Sequence, residues 1–455
     1  MTSASRSVFA SLAAFVITAV TSGTGAVMAA SSPWSQAAGM VQPHSGATAT
    51  LLPNGKVLAV GSFPQLNTGA ELYDPTADNW SPAGPMIVPR ALGTATLLSS
   101  GKVLIAGGIA ADTGHSTTRT EIYDPATNSW SPGSSMAVAR SSHTATLLTG
   151  GKVLVAGGQN AGGYIATAEL YDPIGDRWTM AARMDAGYTS SHATLLASGT
   201  VLVTGGTTLG DGRGELYEPA TNKWSNAGTA ARIAETATRL TDGRVLITGQ
   251  AQEADLYDPA TNHWSLAGIM LRDRADPSAT LLADGRVLVA GGTTTTNGQQ
   301  LWLTSAEIYD PAVNRWSAAG CMSQARWEQT ATLLPTNRVL IAGGDIPSIS
   351  LSGAELFDPT AASASQSLDS CPTQSVAATA SPAASATAAT LSAVPTATVA
   401  RRSIAAEGHR VSLTGIAGVG PLTFDRPTAL ILIVLVLVAL AVALYFWAPW
   451  RRRGI

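Results

Sequence analysis

The chain has 455 residues, of which only 13% are charged, with 45 glycines and a formal net charge of -3. That length exceeds one ordinary domain, so several domains or one repeat architecture must organise it. The charge forms no extended acidic or basic block, which excludes a sequence-wide electrostatic case for nucleic acid, and the composition suits sheets and turns better than long salt-bridged helices.

Residues 1–30 carry Arg6, an apolar run from Val8 to Val20 and the small-residue ending "TSGTGAVMAA". This is the layout of a secretory signal peptide, with cleavage expected after Ala29 or Ala30. An uncleaved anchor fits less well, because a run of about 13 residues falls short of the roughly 20 that span a bilayer.

From residue 33 to 360 one pattern recurs. The acidic starts are Glu71, Glu121, Glu169, Glu215, Asp255, Glu307 and Glu355, spaced by 50, 48, 46, 40, 52 and 48 residues, a period that signals propeller blades or solenoid turns. Each unit has four parts, shown by the third copy: "SSHTATLL", "GKVLVAGG", "AELYDP" and "RWTMAARM". The runs are too short for helices and right for strands, so four strands per unit make a blade. Turns such as "PNGK" and "TDGR" supply positive φ for a tight hairpin, diglycines such as Gly107-Gly108 let backbones approach closely, and "DPATN" bends the chain into the last strand. The seventh copy, "AELFDPTAAS", has no Trp after it, whereas "WSQAAGM" at Trp34 to Met40 matches "WSAAGCM" at Trp316 to Met322. An N-terminal strand that completes the last blade would therefore close the ring and remove an open sheet edge. The expected fold is an all-β, seven-bladed β-propeller closed by an N-terminal strand.

Residues 361–426, rich in Ala, Ser, Thr and Pro, read as a disordered stalk. Residues 427–448 follow as one transmembrane helix: Thr428 to Trp447 is twenty residues without a charge, long enough to cross the hydrocarbon. Tyr445, Trp447, Trp450 and Arg451 to Arg453 favour a cytoplasmic tail at 449–455. The expected location is thus a cell membrane, single-pass, with the propeller outside.

The diglycine that ends the second strand, the acidic-x-Tyr-Asp-Pro phrase and the spaced Trp resemble kelch repeats, over about residues 34–359. The resemblance implies a seven-bladed propeller that usually serves as a binding platform, with a minority of enzymes such as galactose oxidase and sialic-acid mutarotases. Fold alone does not choose among these.

The loops between second and third strands vary, with 8, 12, 10, 8, 4, 14 and 10 residues from the diglycine position to the acid, and variable loops on a fixed scaffold are where recognition is usually placed. The longest carries Trp302, read either as a binding contact or as packing. On the same face, eight residues before the second Leu position of each first strand, stand His44, Arg90, Arg140, Tyr188, Arg232, Arg274 and Arg326. The five arginines are candidates for holding carboxylates or other anions at the channel entrance, as arginines do in kelch propellers that bind acidic peptides. The weightier reading is that a residue repeated blade after blade bonds nearby carbonyls or the repeated acids.

Galactose oxidase holds copper with two His and two Tyr, one Tyr cross-linked to Cys. Here the tyrosines outside the repeat and the membrane segment are Tyr164 and Tyr188, with His44, His143 and His192 in range of the mouth. Cys321 and Cys371 fall elsewhere, in blade six and the stalk, so no catalytic residue, metal or cofactor is assigned. In an extracellular chain these cysteines are a possible disulfide, closing a loop of about 50 residues and contributing on the order of 4 kcal/mol. The leading expectation is a monomeric cell-surface binding module for an unknown protein, peptide or glycan. A carbohydrate-active enzyme and a structural surface protein are the alternatives.

Overall fold

The computed structural model describes residues 32–61, 69–207, 212–230, 232–347, 349–361 and 367–375, together with two short strands further on. The chain divides into two units, Met1–Ala380 and Ser381–Ile455. In the second, Val411–Leu413 pairs antiparallel with Leu422–Phe424. The expected signal peptide, transmembrane helix and tail lie outside the described residues, as does most of the stalk. Among the described residues no helix is long and apolar enough to cross a membrane.

In the first unit the described residues form seven four-stranded sheets. Sheet one shows the pattern, with antiparallel strands Thr48–Leu51, Val57–Val60, Glu71–Asp74 and Asn79–Pro82. Sheets two to seven begin at Thr94, Thr144, Tyr188, Thr236, Ser278 and Thr330. The second strands, such as Val57–Val60 and Val153–Ala156, are buried along their whole length, as a short unbroken apolar run predicts. The first strands of successive sheets lie side by side, and Thr330–Leu333 of sheet seven lies against Thr48–Leu51 of sheet one. The ring of first strands is therefore closed.

The N-terminal strand closes it as the sequence predicts. Trp34–Ala37 pairs antiparallel with Ala354–Phe357, placing Trp34 opposite Phe357 and completing sheet seven. Each repeated Trp stacks obliquely on the Tyr across its strand pair, with ring centroids 4.9 to 5.2 Å apart. Its indole N–H donates to the preceding sheet: Trp130 to the Ala83 carbonyl at 2.9 Å, Trp178 to that of Ser134 at 2.9 Å. At the closure, Trp80 donates to Ala38 and Trp34 to Ala319, each at 2.8 Å, so the same stitch runs across the joined ends.

The turn phrase is equally local in its logic. The Tyr123 hydroxyl donates to Asn128 Oδ1 at 2.8 Å, and Asn128 sits at φ +50°, a conformation that Asn tolerates better than most residues. The diglycines serve the sheet-to-sheet joint. A Cβ on Gly107, at φ +59°, would lie 2.5 Å from the Arg140 carbonyl oxygen of the next sheet.

Part of the segment read as a disordered stalk is folded. Residues 367–375 fold back on sheet six: a 3-10 turn spans Leu368–Ser370, Cys371 is bonded to Cys321 with Cα atoms 5.4 Å apart, and Thr373–Ser375 adds a strand to Gln299–Leu303. Composition misses this because three backbone-paired residues and one covalent link hold the segment, with little apolar burial beyond Leu368 and Cys371.

Candidate functional site

Of the seven residues predicted at the channel entrance, six are buried in the scaffold and Arg232 is partly exposed. Arg90, Arg140, Arg274 and Arg326 are fully buried, and each pairs with the Glu of its own sheet: Arg90 with Glu121 at 2.5 Å, Arg140 with Glu169 at 3.0 Å, Arg274 with Glu307 at 2.9 Å and Arg326 with Glu355 at 3.0 Å. Their other donors hold carbonyls. Arg274 Nη1 donates to Gly291 at 2.9 Å and Ser305 at 2.7 Å, and Arg140 Nη1 to Gly157 at 2.8 Å and Thr167 at 3.0 Å. The carboxylates in turn accept backbone N–H groups from the sheet-to-sheet connection, Leu271 and Arg272 in the case of Glu307. Burial pulls each of these guanidinia below its ordinary pKa, with the paired Glu opposing.

His44 takes the same place in sheet one, bonded to Glu71 at 3.2 Å and to the Gly61 carbonyl at 2.7 Å. In sheet four Tyr188, fully buried, bonds Glu215, whose pKa burial raises. Arg232, beside the shortest loop, is partly exposed and pairs with Asp255 at 2.9 Å and Glu253 at 3.3 Å. These residues are brackets that tie diglycine, loop and connection together. Most donors of the four buried arginines are taken by protein acceptors, the Nε of Arg140 and of Arg326 excepted, which is the scaffold arrangement that the sequence also allowed. Trp302 is only 6% exposed, in a strand whose edge pairs with Thr373–Ser375, a placement that suits the packing reading.

A different set of residues lines the mouth. A cavity of about 350 Å³ is formed by Gly46, Leu92, Ser142, His143, Ser191, His192, Glu235, Asp276, Glu328 and Gln329 with their neighbours, one or two residues from every sheet. All lie immediately before, or at the start of, the regular part of the first strand. Four of them hold left-handed backbone without being glycine: Leu92, Ser142, Asp276 and Glu328, at φ 49° to 55°. Such strain persists only where surrounding structure imposes it, and it gathers at functional sites.

The mouth is electrically lopsided. Sheets five, six and seven supply Glu235, Asp276 and Glu328, while sheets one to four supply only neutral groups. Burial holds the His143 imidazole at about 3, with the Arg140 charge adding to the effect, and burial holds His192 at about 4, so both are uncharged near neutrality. Burial, followed by the neighbouring Asp276 carboxylate, pushes Glu235 up to about 7. Glu328 is raised by burial and then by Asp276 and Asp345. Ser45 Oγ bridges Glu328 at 3.3 Å and Asp345 at 2.5 Å.

A stability prediction follows from Glu235. Its carboxyl titrates near 4.5 when unfolded and about 7 when folded, so the folded chain loses stability as pH rises from 4.5 to 7 and regains none above. Glu235→Gln is expected to leave the melting temperature unchanged at pH 4 and to stabilise by about 1 kcal/mol at pH 8, after allowance for solvent screening. Thermal denaturation at the two pH values checks this, and an equal shift at both would contradict it.

Sequence reading overlooked the three acids although a signal was present. The two positions before the first strand read Gly46-Ala47, Leu92-Gly93, Ser142-His143, Ser190-Ser191, Ala234-Glu235, Asp276-Pro277 and Glu328-Gln329. They differ in every copy while both flanks repeat, and carboxylates enter only in the last three.

Closed rings of four-stranded sheets joined through diglycine and Trp define the repeat-propeller class. The kelch motif model matches residues 90–137 and 140–185, which carry sheets two and three. Among solved structures, a fungal alcohol oxidase of the AA5 family, determined in complex with copper, is similar with a TM-score of 0.61 at 17% identity, covering 72% of this chain and 76% of that one. No curated protein matches the sequence. Two of the sheets thus carry the kelch motif, and the fold is similar to that of the AA5 alcohol oxidase.

The copper site that the galactose oxidase resemblance implies does not fit the residues present. Both cysteines are bonded to each other, Tyr188 is buried against Glu215, and Tyr164 is 48% exposed on a surface hairpin. His143 and His192 share the mouth, but among the described residues no three His, Cys, Asp or Glu side chains gather as a metal site.

Proposed function

We propose that the chain is a seven-bladed kelch propeller acting as a binding module that recognises a protein, peptide or glycan through the face carrying the mouth and the variable loops. The observation that carries this reading is the contrast at the mouth: its lining changes from sheet to sheet, whereas the brackets directly behind it repeat. A scaffold that keeps its geometry while varying one ring of side chains suits recognition. The apolar run 428–447 and the following arginines support attachment to a membrane with the propeller outside, and the Cys321–Cys371 bridge suits an oxidising compartment.

The test is capture of the full chain on an array of immobilised glycans and peptides, beside an Asp276→Asn/Glu328→Gln variant. Saturable capture by one ligand family, lost in the variant, is the expected result. A catalytic second reading draws on the likeness to the alcohol oxidase. Copper-dependent oxidation of sugars by the purified chain would favour it, and failure to capture any ligand would favour a structural surface protein.

A further inference from the structure

We propose that the mouth cavity binds the ammonium group of an amino sugar, held by the carboxylates of Asp276 and Glu328 beside the carboxyl group of Glu235. This rests on the reading of the chain as a binding module and names the ligand class of the same site.

The charge distribution is the first support. The three acids come from three consecutive sheets, and Asp345 stands behind Glu328 across Ser45. Among the described residues no arginine or lysine forms an ion pair with Glu235, Asp276 or Glu328. Their partners are Gln250 Nε2 at 2.8 Å from Glu235, the Asp276 backbone N–H at 3.3 Å from the same carboxylate, and Ser45 on Glu328. On this face each of the seven repeated acids has been given Arg, His or Tyr, so an uncompensated acidic arc is a departure from the chain's own rule. A partly buried group of like charges is costly unless a cation joins it.

Two unsatisfied side chains supply independent support. Gln329 is 8% exposed and lines the cavity; its Nε2 donates to the Ala290 carbonyl at 2.8 Å and to Ser278 Oγ at 3.2 Å, which leaves Oε1 with no donor. His143 is 6% exposed and also lines the cavity, with Nε2 bonded to Thr94 Oγ1 at 3.1 Å and Nδ1 without a partner. Buried polar atoms in native proteins find partners, in protein, water or ligand. Here a donor from a ligand would satisfy Gln329 Oε1, and a hydroxyl would satisfy His143 Nδ1.

Size and lining favour a sugar over a lysine side chain. About 350 Å³ lies at the small end of ligand sites, enough for a compact molecule. A lysine stem needs an apolar sleeve for its methylenes, whereas this wall carries hydroxyls at Ser142 and Ser191, two imidazoles and an amide, with Leu92, Ala47 and Pro277 as its apolar members. Hydroxyl-rich ligands match that inventory of donors and acceptors.

The experiment titrates the full chain with β-1,4-linked diglucosamine, its di-N-acetylated form and lysine amide by calorimetry at pH 6 and low salt. The expected result is at least ten-fold tighter binding of the free amine than of the acetylated sugar, weakening with added salt. Asp276→Asn and Glu328→Gln should each lower the affinity about ten-fold or more, and Asp242→Asn, on a hairpin at the opposite end of the strands, should not. Each variant is checked for an unchanged melting transition; if Asp276→Asn fails to fold, Glu328→Gln carries the comparison. Equal binding of the acetylated sugar, undiminished binding in the carboxamide variants, tighter binding of lysine amide, or no binding of the free amine would each overturn the proposal. A neutral ligand captured on the array and lost in the mouth variant would leave the binding-module reading standing while this assignment falls.

Discussion

Deleting residues 32–40 is expected to abolish the cooperative unfolding transition of the propeller. The strand Trp34–Ala37 contributes the whole outer edge of sheet seven, and its loss exposes the backbone of Ala354–Phe357 as an unpaired edge. Trp34 itself packs on Phe357 with ring centroids 5.0 Å apart, within a buried cluster shared by sheets six and seven. Removing such a side chain costs about 3–5 kcal/mol, a large part of the 5–15 kcal/mol that holds a typical domain. Both closure stitches, Trp34 to Ala319 and Trp80 to Ala38, disappear with the segment. Circular dichroism and calorimetry of the truncated chain check this, with Trp34→Ala as the milder variant. A truncated chain that melts cooperatively within a few degrees of the parent would show that the ring does not depend on its N-terminal strand.

The second large effect is expected at the brackets. Arg274→Ala should destabilise by about 3–5 kcal/mol, because it leaves Glu307 charged and buried without its cation. Both side chains are inaccessible to solvent, and all five guanidinium N–H groups of Arg274 have protein acceptors. The double variant Arg274→Met/Glu307→Gln should cost less than Arg274→Ala alone, since it removes the uncompensated charge while the Gln carbonyl oxygen still accepts from one of the Leu271 and Arg272 N–H groups. At sheet five, where Arg232 is partly exposed, Arg232→Ala should cost only about 1 kcal/mol. Urea denaturation of the four proteins gives the comparison. If Arg274→Ala unfolds no more readily than Arg232→Ala, the buried pair is not what holds diglycine, loop and connection together.

The architecture was legible because propellers write their sequence in register. The Trp spacing and the orphan "WSQAAGM" predicted the closing strand, and Trp34 opposite Phe357 bears it out. The possible Cys321–Cys371 disulfide is present, but the residues around Cys371 read as stalk because a disulfide-tethered strand needs little apolar sequence. The arginines illustrate the limit in the other direction. Sequence placed Arg90, Arg140, Arg274 and Arg326 at one repeated position and allowed either a ligand or the repeated acid as partner; only burial and distances of 2.5 to 3.0 Å to Glu assign them to the scaffold. The mouth was hidden for the opposite reason. Glu235, Asp276 and Glu328 stand at two repeat positions whose residues vary from copy to copy, with no motif to mark them, and only the packing of neighbouring sheets brings positions 93 residues apart to one cavity.

The central claim is that repeated positions build this molecule and the unrepeated ring at the mouth recognises its ligand. Hydrogen exchange of the full chain, with and without the tightest ligand captured on the array, tests it most directly. The prediction is new protection at residues 46–47, 92–93, 142–143, 235, 276 and 328–329, with the second strands and the turns at the opposite end unchanged. Protection confined to those opposite turns or to the outermost strands, with none at the mouth, would contradict it.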